Sequence, residues 1–94
     1  MSTLIGRSPE RGVDMIALAE SRGYRVDDPD GRVGTVDGVV AGAWSDRPDG
    51  IEVRVGLFRP AVLVVGVADV AAVDPARRRV LLGTRVDLAD AYVP

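Results

Sequence analysis

Residues Tyr24 to Val40 read YRVDDPDGRVGTVDGVV, two valine-bearing runs separated by an acidic stretch that ends in glycine, and the reading of this segment decides the fold. Tyr24-Arg25-Val26 alternates apolar and polar side chains at the period of a strand. Asp28-Pro29-Asp30-Gly31 then brings together the residues of a tight turn: proline pre-sets φ, aspartate bonds its own backbone, and glycine accepts positive φ. Beyond it, Arg32 to Val40 alternates again, with Val33 and Thr35 on one face and Val36 on the other. Gly34 and Gly38 mark bends or bulges of the kind that curl a small sheet. The expectation is a strand, a turn and a second strand.

The same residues invite sharper readings, and each fails on its spacing. In an EF-hand frame with Gly31 at the sixth place, Asp28 and Asp30 fall at the third and fifth and Asp37 at the twelfth. The first place is then Val26, which cannot ligate, and the twelfth wants a bidentate glutamate. Gly31, Gly34 and Gly38 fit neither the dinucleotide fingerprint nor the P-loop, whose Gly-Lys step is impossible in a chain without lysine. Asp27 with Asp30 or Asp37 would make a carboxylate pair, yet turns are where aspartate ordinarily sits. The sequence therefore assigns no catalytic residue, no metal and no cofactor.

Outward from this hairpin, Ser8-Pro9-Glu10 has the form of a helix start, with a capping serine, proline at the first helical position and an acid in the first turn. A short helix is expected over 9–22, with Val13, Ile16, Ala17 and Glu20 on one face, Gly23 ending it and residues 1–7 loosely ordered; an extended arm is the alternative. The domain division is thus 1–21 for the arm or helix and 22–94 for the β domain. Downstream, Ser45 to Gly50 is a turn cluster, and Ile51, Val53, Val55 and Leu57 alternate with Glu52, Arg54, Gly56 and Phe58. Arg59-Pro60 breaks that run. Ala61 to Val67 is apolar on both faces, which calls for a roof within the chain or a second subunit. A last hairpin joins Asp69–Val73 to Arg78–Leu82 through Asp74-Pro75-Ala76-Arg77, and one helical turn near the C-terminus lays Leu88 and Tyr92 on the body. Short strands at near-regular intervals predict a mainly β fold, a small twisted β-barrel of about five to six short antiparallel strands with a short N-terminal helix or arm.

Composition narrows what such a fold can do. Ninety-four residues, 47% hydrophobic and 28% charged, make one small globular domain. Only 4% are aromatic, so valine, alanine, leucine and isoleucine must build the core, and lone Trp44 is expected to serve it. The absence of cysteine and histidine removes disulfides, thiolate nucleophiles, the triad-type histidine base and nearly every zinc site. A net charge of −2 argues against nucleic acid as an obligate partner. The basic run Arg77-Arg78-Arg79 has two readings, a phosphate or RNA contact and a solvated hairpin tip with its arginines splayed to opposite faces; the second is preferred. No apolar run reaches the roughly 18 residues of a membrane span, and the N-terminus lacks a secretory h-region, so the expected location is cytoplasmic.

Gly23-Tyr-Arg-Val, Asp30 to Val40, Val64 to Val70 and Val73 to Leu82 together resemble the PRC-barrel family, named for the photosynthetic reaction centre H subunit and similar to the C-terminal barrel of a ribosomal-RNA processing factor. The likeness covers residues 22–83. It implies a twisted β-barrel used for protein contacts, often as a dimer, with no catalytic residues of its own. Both lines lead to one expectation, a non-enzymatic interaction and assembly module that forms a homodimer or binds another protein, with Phe58, Val62, Val64 and Val65 at the interface. The alternatives are an RNA- or ribosome-associated barrel using Arg77, Arg78 and Arg79, and a small-ligand barrel using the aspartate-rich turn.

Overall fold

The segment from Tyr24 to Val40 forms the hairpin its turn residues dictate. In the computed structural model, which describes residues 14–42, 48–56 and 60–93, β1 is Arg25–Asp28 and β2 is Gly31–Ala41, antiparallel, with Arg25 opposite Thr35 and Asp28 opposite Gly31. Gly31 takes φ +128°, which a side chain would strain, and Asp28 Oδ1 accepts the Asp30 N–H at 2.8 Å to brace the turn. Both interior glycines have physical reasons. A Cβ on Gly34 would collide with the carbonyl of Arg54 on the next strand, and the register slips between Val36 and Gly38, which makes Asp37 the extra residue of a bulge.

Two more strands, β3 (Pro48–Val55) and β4 (Ala61–Gly66), complete a meander; a 3₁₀ turn, Val67–Asp69, leads to the hairpin of β5 (Val70–Asp74) and β6 (Arg79–Leu82). The strand order is β4-β3-β2-β1-β6-β5, and β6 runs parallel to β1, with Arg25 opposite Arg79 and Val26 opposite Val80. The wholly antiparallel arrangement expected from the sequence is corrected here. The 3₁₀ turn does not reverse the chain, so β5 keeps the direction of β4, and β6, antiparallel to β5, must match β1. A second correction concerns closure. β4 and β5 lie at opposite ends of the sheet yet are joined by three residues, which can span roughly 14 Å at most, so the sheet rolls until its edges approach. They do not pair, and the barrel is an open roll.

Leu18, Val26, Val36, Ile51, Val53 and Val80 are fully buried at its centre. The alternation of β3 is as expected, with Ile51, Val53 and Val55 inside and Arg54 outside, although Pro48, Asp49 and Gly50 belong to the strand rather than to a turn. Pro48 sits at the first residue of the strand, where its missing N–H is tolerated. Helix α1 is short, Met15–Ala19, and begins at Asp14, whose Oδ1 accepts the N–H groups of Ile16 and Ala17 at 3.0 and 3.1 Å. Asp14 is extended, so it interrupts any continuous helix over 9–22. Its inward residues are Ala17 and Leu18 while Ile16 is 75% exposed, which replaces the expected face. The helix touches both β3 and β5 and so roofs the roll, and burying Leu18 contributes about 2 kcal/mol.

A single 3₁₀ turn, Leu88–Asp90, precedes Tyr92, whose backbone exchanges hydrogen bonds of 2.7 and 2.8 Å with Val62 on the edge of β4. The backbone docks; the side chains of Leu88 and Tyr92 remain about half exposed rather than lying on the body. Among the described residues no helix is long and apolar enough to cross a membrane. The expected helix start at Ser8-Pro9-Glu10, the loosely ordered 1–7, Trp44, the first half of the turn at Ser45, and Leu57, Phe58 and Arg59 lie outside the described residues.

Candidate functional site

Parallel pairing of β1 with β6 builds the one buried ionic centre among the described residues. Arg25 and Asp27 share a strand face, and the register sets Arg79 opposite Arg25. Asp27 is consequently flanked by two guanidinium groups: Arg25 Nε donates to Oδ1 at 2.8 Å, and Arg79 donates to Oδ2 through Nε at 3.0 Å and Nη2 at 2.7 Å. The carboxylate is only 5% exposed. Burial pushes its pKa up, but the hydrogen bonds and positive charges of Arg25 and Arg79 outweigh that and hold the carboxyl below its usual range. A carboxylate fixed in this way is a poor proton donor and a weak base at neutral pH, so this group is suited to binding strands together rather than to moving protons.

The arginine run of the last hairpin is divided among three partners. Arg77 Nη1 meets Asp74 Oδ2 at 3.0 Å, and the Asp74 carboxyl is held below its usual range chiefly by that side-chain bond. Arg78 takes φ 53°, rare for a residue with a side chain; its carbonyl accepts the Arg25 N–H, and its guanidinium lies 5.1 Å from the centre of the Tyr24 ring. Arg79 is committed to Asp27. The Tyr24–Arg78 stack escaped sequence reasoning because the two residues meet only through the non-local β1–β6 pairing, which leaves no local periodicity to read.

The acidic turn is likewise occupied by the protein itself. Asp28 Oδ2 accepts the Val86 N–H at 3.0 Å, the main reason its carboxyl titrates below the usual range, and Asp30 Oδ2 meets Arg85 Nε at 2.7 Å. Asp28 and Asp30 thus fasten the C-terminal segment to the first hairpin. Asp37 stands apart, 3.8 Å from Arg54 Nη1. Among the described residues no three potential metal-ligating side chains form a group.

Strand β4 holds the expected interface residues, and the fold separates them. Leu63 and Val65 point into the core; Val62 is also buried, on the opposite face; Val64, on that same face, is 52% exposed. Phe58 lies outside the described residues. Because Val62 spends both backbone groups on Tyr92, the alternation of an antiparallel ladder turns the N–H and C=O of Val64 away from β3 as well. No described residue bonds them. A groove of about 200 Å³ is shared by β4 and the C-terminal segment, with Leu63, Val64, Val65, Asp69, Asp87 and Asp90 among its lining. Arg32 and Gly34 of β2 and Arg54 of β3 line a larger recess of about 510 Å³. The chain matches no protein-family model and no curated protein.

Proposed function

We propose that this chain is a non-enzymatic protein-interaction module whose contact strand is β4. The observation that carries this reading is the unclosed roll: the edge of β4 ends its pairing with the tail at Val62, leaving an exposed apolar side chain and outward backbone groups at Val64. The resemblance to PRC-barrel domains supports the same reading, since such barrels serve protein contacts. Homodimer formation is one form of it, with Val64 at the contact, Val65 supporting the strand from the core and Val62 beside Val64 on the outer face. The RNA-associated alternative has less in its favour, because Arg79 is held by Asp27 and Arg77 by Asp74.

Light scattering over a concentration series, with Val64→Arg as the variant, tests this. If a second copy occupies β4, the mass rises above one chain and the variant returns it to a folded monomer whose melting temperature no longer depends on concentration. A monomer at every concentration removes self-association and leaves a different protein as the partner. An oligomer indifferent to Val64→Arg overturns β4 as the contact strand.

A further inference from the structure

Resting on that reading, we propose the chemistry of the partner: an extended peptide segment with alternating basic side chains, added as a strand at the edge of β4. Three features converge on it. The first is the edge itself. Val62 is paired to Tyr92, and the residues before Tyr92 form the 3₁₀ turn Leu88–Asp90, so the backbone of the tail pairs with one residue of the edge. Val64 and Gly66, at the same phase of the ladder, have no backbone partner on that side among the described residues and can bond an incoming backbone.

The second feature is space, a groove of about 200 Å³ lined by Leu63–Val65 of β4 and by residues 84–87 and Asp90 of the C-terminal segment. The third is charge. Asp69, Asp87 and Asp90 line the groove and are all exposed, while Arg85, the basic residue on its wall, directs its guanidinium to Asp30 at 2.7 Å. A basic side chain on the added strand would meet carboxylates there. The β4 of a second copy would instead bring its own three acids to the same groove, and like charges across it disfavour that pairing.

The test uses the full chain labelled with ¹⁵N and the blocked pentapeptide acetyl-Val-Arg-Val-Arg-Val-amide as probe, with the same peptide carrying glutamate for arginine as control. Expected are amide shifts confined to 62–66 and the groove, saturating for the arginine peptide and absent for the glutamate peptide. Val64→Pro should abolish them, because proline removes the outward N–H without breaking a bond to β3. Asp69→Asn combined with Asp90→Asn should weaken binding about tenfold while leaving the melting temperature in place. Equal binding of both peptides, or no binding of either, overturns the basic-strand inference; β4 remains the contact strand if Val64→Arg still dissociates an oligomer. Saturating shifts located away from β4 overturn both.

Discussion

Asp27 and Arg79 lie fifty-two residues apart in sequence and face each other across the parallel pair of β1 and β6, with Oδ2 of one 2.7 Å from Nη2 of the other. This pair ties the last hairpin to the first. It also sorts the three consecutive arginines by what each would cost to lose.

Arg79→Ala should destabilise the domain by about 1–3 kcal/mol, between the values for surface and buried pairs, because Asp27 is buried while Arg79 is itself partly exposed to water. Arg77→Ala, at an exposed tip, should leave the urea midpoint nearly unchanged. If the two substitutions shift the midpoint equally, the ionic centre is not what joins β6 to β1.

Stability should fall on acidification. The folded-state pKa of Asp27 is depressed, so as pH drops the unfolded chain, with an ordinary carboxyl near about 3.9, takes up its proton first and is favoured. The contribution is fully present above about pH 5 and is lost as pH falls through the folded-state value; Asp28 and Asp74 are shifted in the same direction and act in the same window. Urea midpoints at pH 7, 5 and 3 measure the slope, and Asp27→Asn should make it shallower. A midpoint that does not move between pH 7 and 3 would contradict the assignment.

Glycine substitutions should separate close approach from open edge. Gly34→Ala places a methyl group against the Arg54 carbonyl and should cost about 1–3 kcal/mol by forcing β2 from β3. Gly66→Ala meets nothing within 4 Å and should stay within about 0.5 kcal/mol of the parent. Thermal melts of the two variants provide the comparison.

The short helix should prove integral to the core. Leu18→Ala is expected to cost about 2–5 kcal/mol, whereas Ile16→Ala, its exposed neighbour but one, should change little. Comparable small effects at both positions would mean that α1 is an appendage.

Hydrogen exchange should report the clasp made by the acidic turn. Asp28→Ala removes the acceptor of the Val86 N–H, so protection at Val86 should drop while the amide of Val53 in β3 keeps its own. Unchanged exchange at Val86 would show that Arg85 and Asp30 hold the segment unaided.

Local chemistry alone determined the first and last hairpins, because Asp28-Pro29-Asp30-Gly31 and Asp74-Pro75-Ala76-Arg77 carry their turns in a few adjacent residues, and the alternation from Ile51 to Val55 sets which face of β3 is buried. The two-sided apolarity of Ala61 to Val67 was also visible, but not its resolution: the roll buries Leu63 and Val65, while on the outer face Val62 is buried beside its bridge to Tyr92 and Val64 stays exposed. Tertiary structure decided the parallel joining of β1 to β6, the partners of Asp27 and Arg78, the clasp of Asp28 on Val86 and the position of β4 at the edge of the sheet. Each depends on where a strand returns in space after many intervening residues. Neither turn propensity nor hydrophobic period, both of which act over a few residues, contains that information.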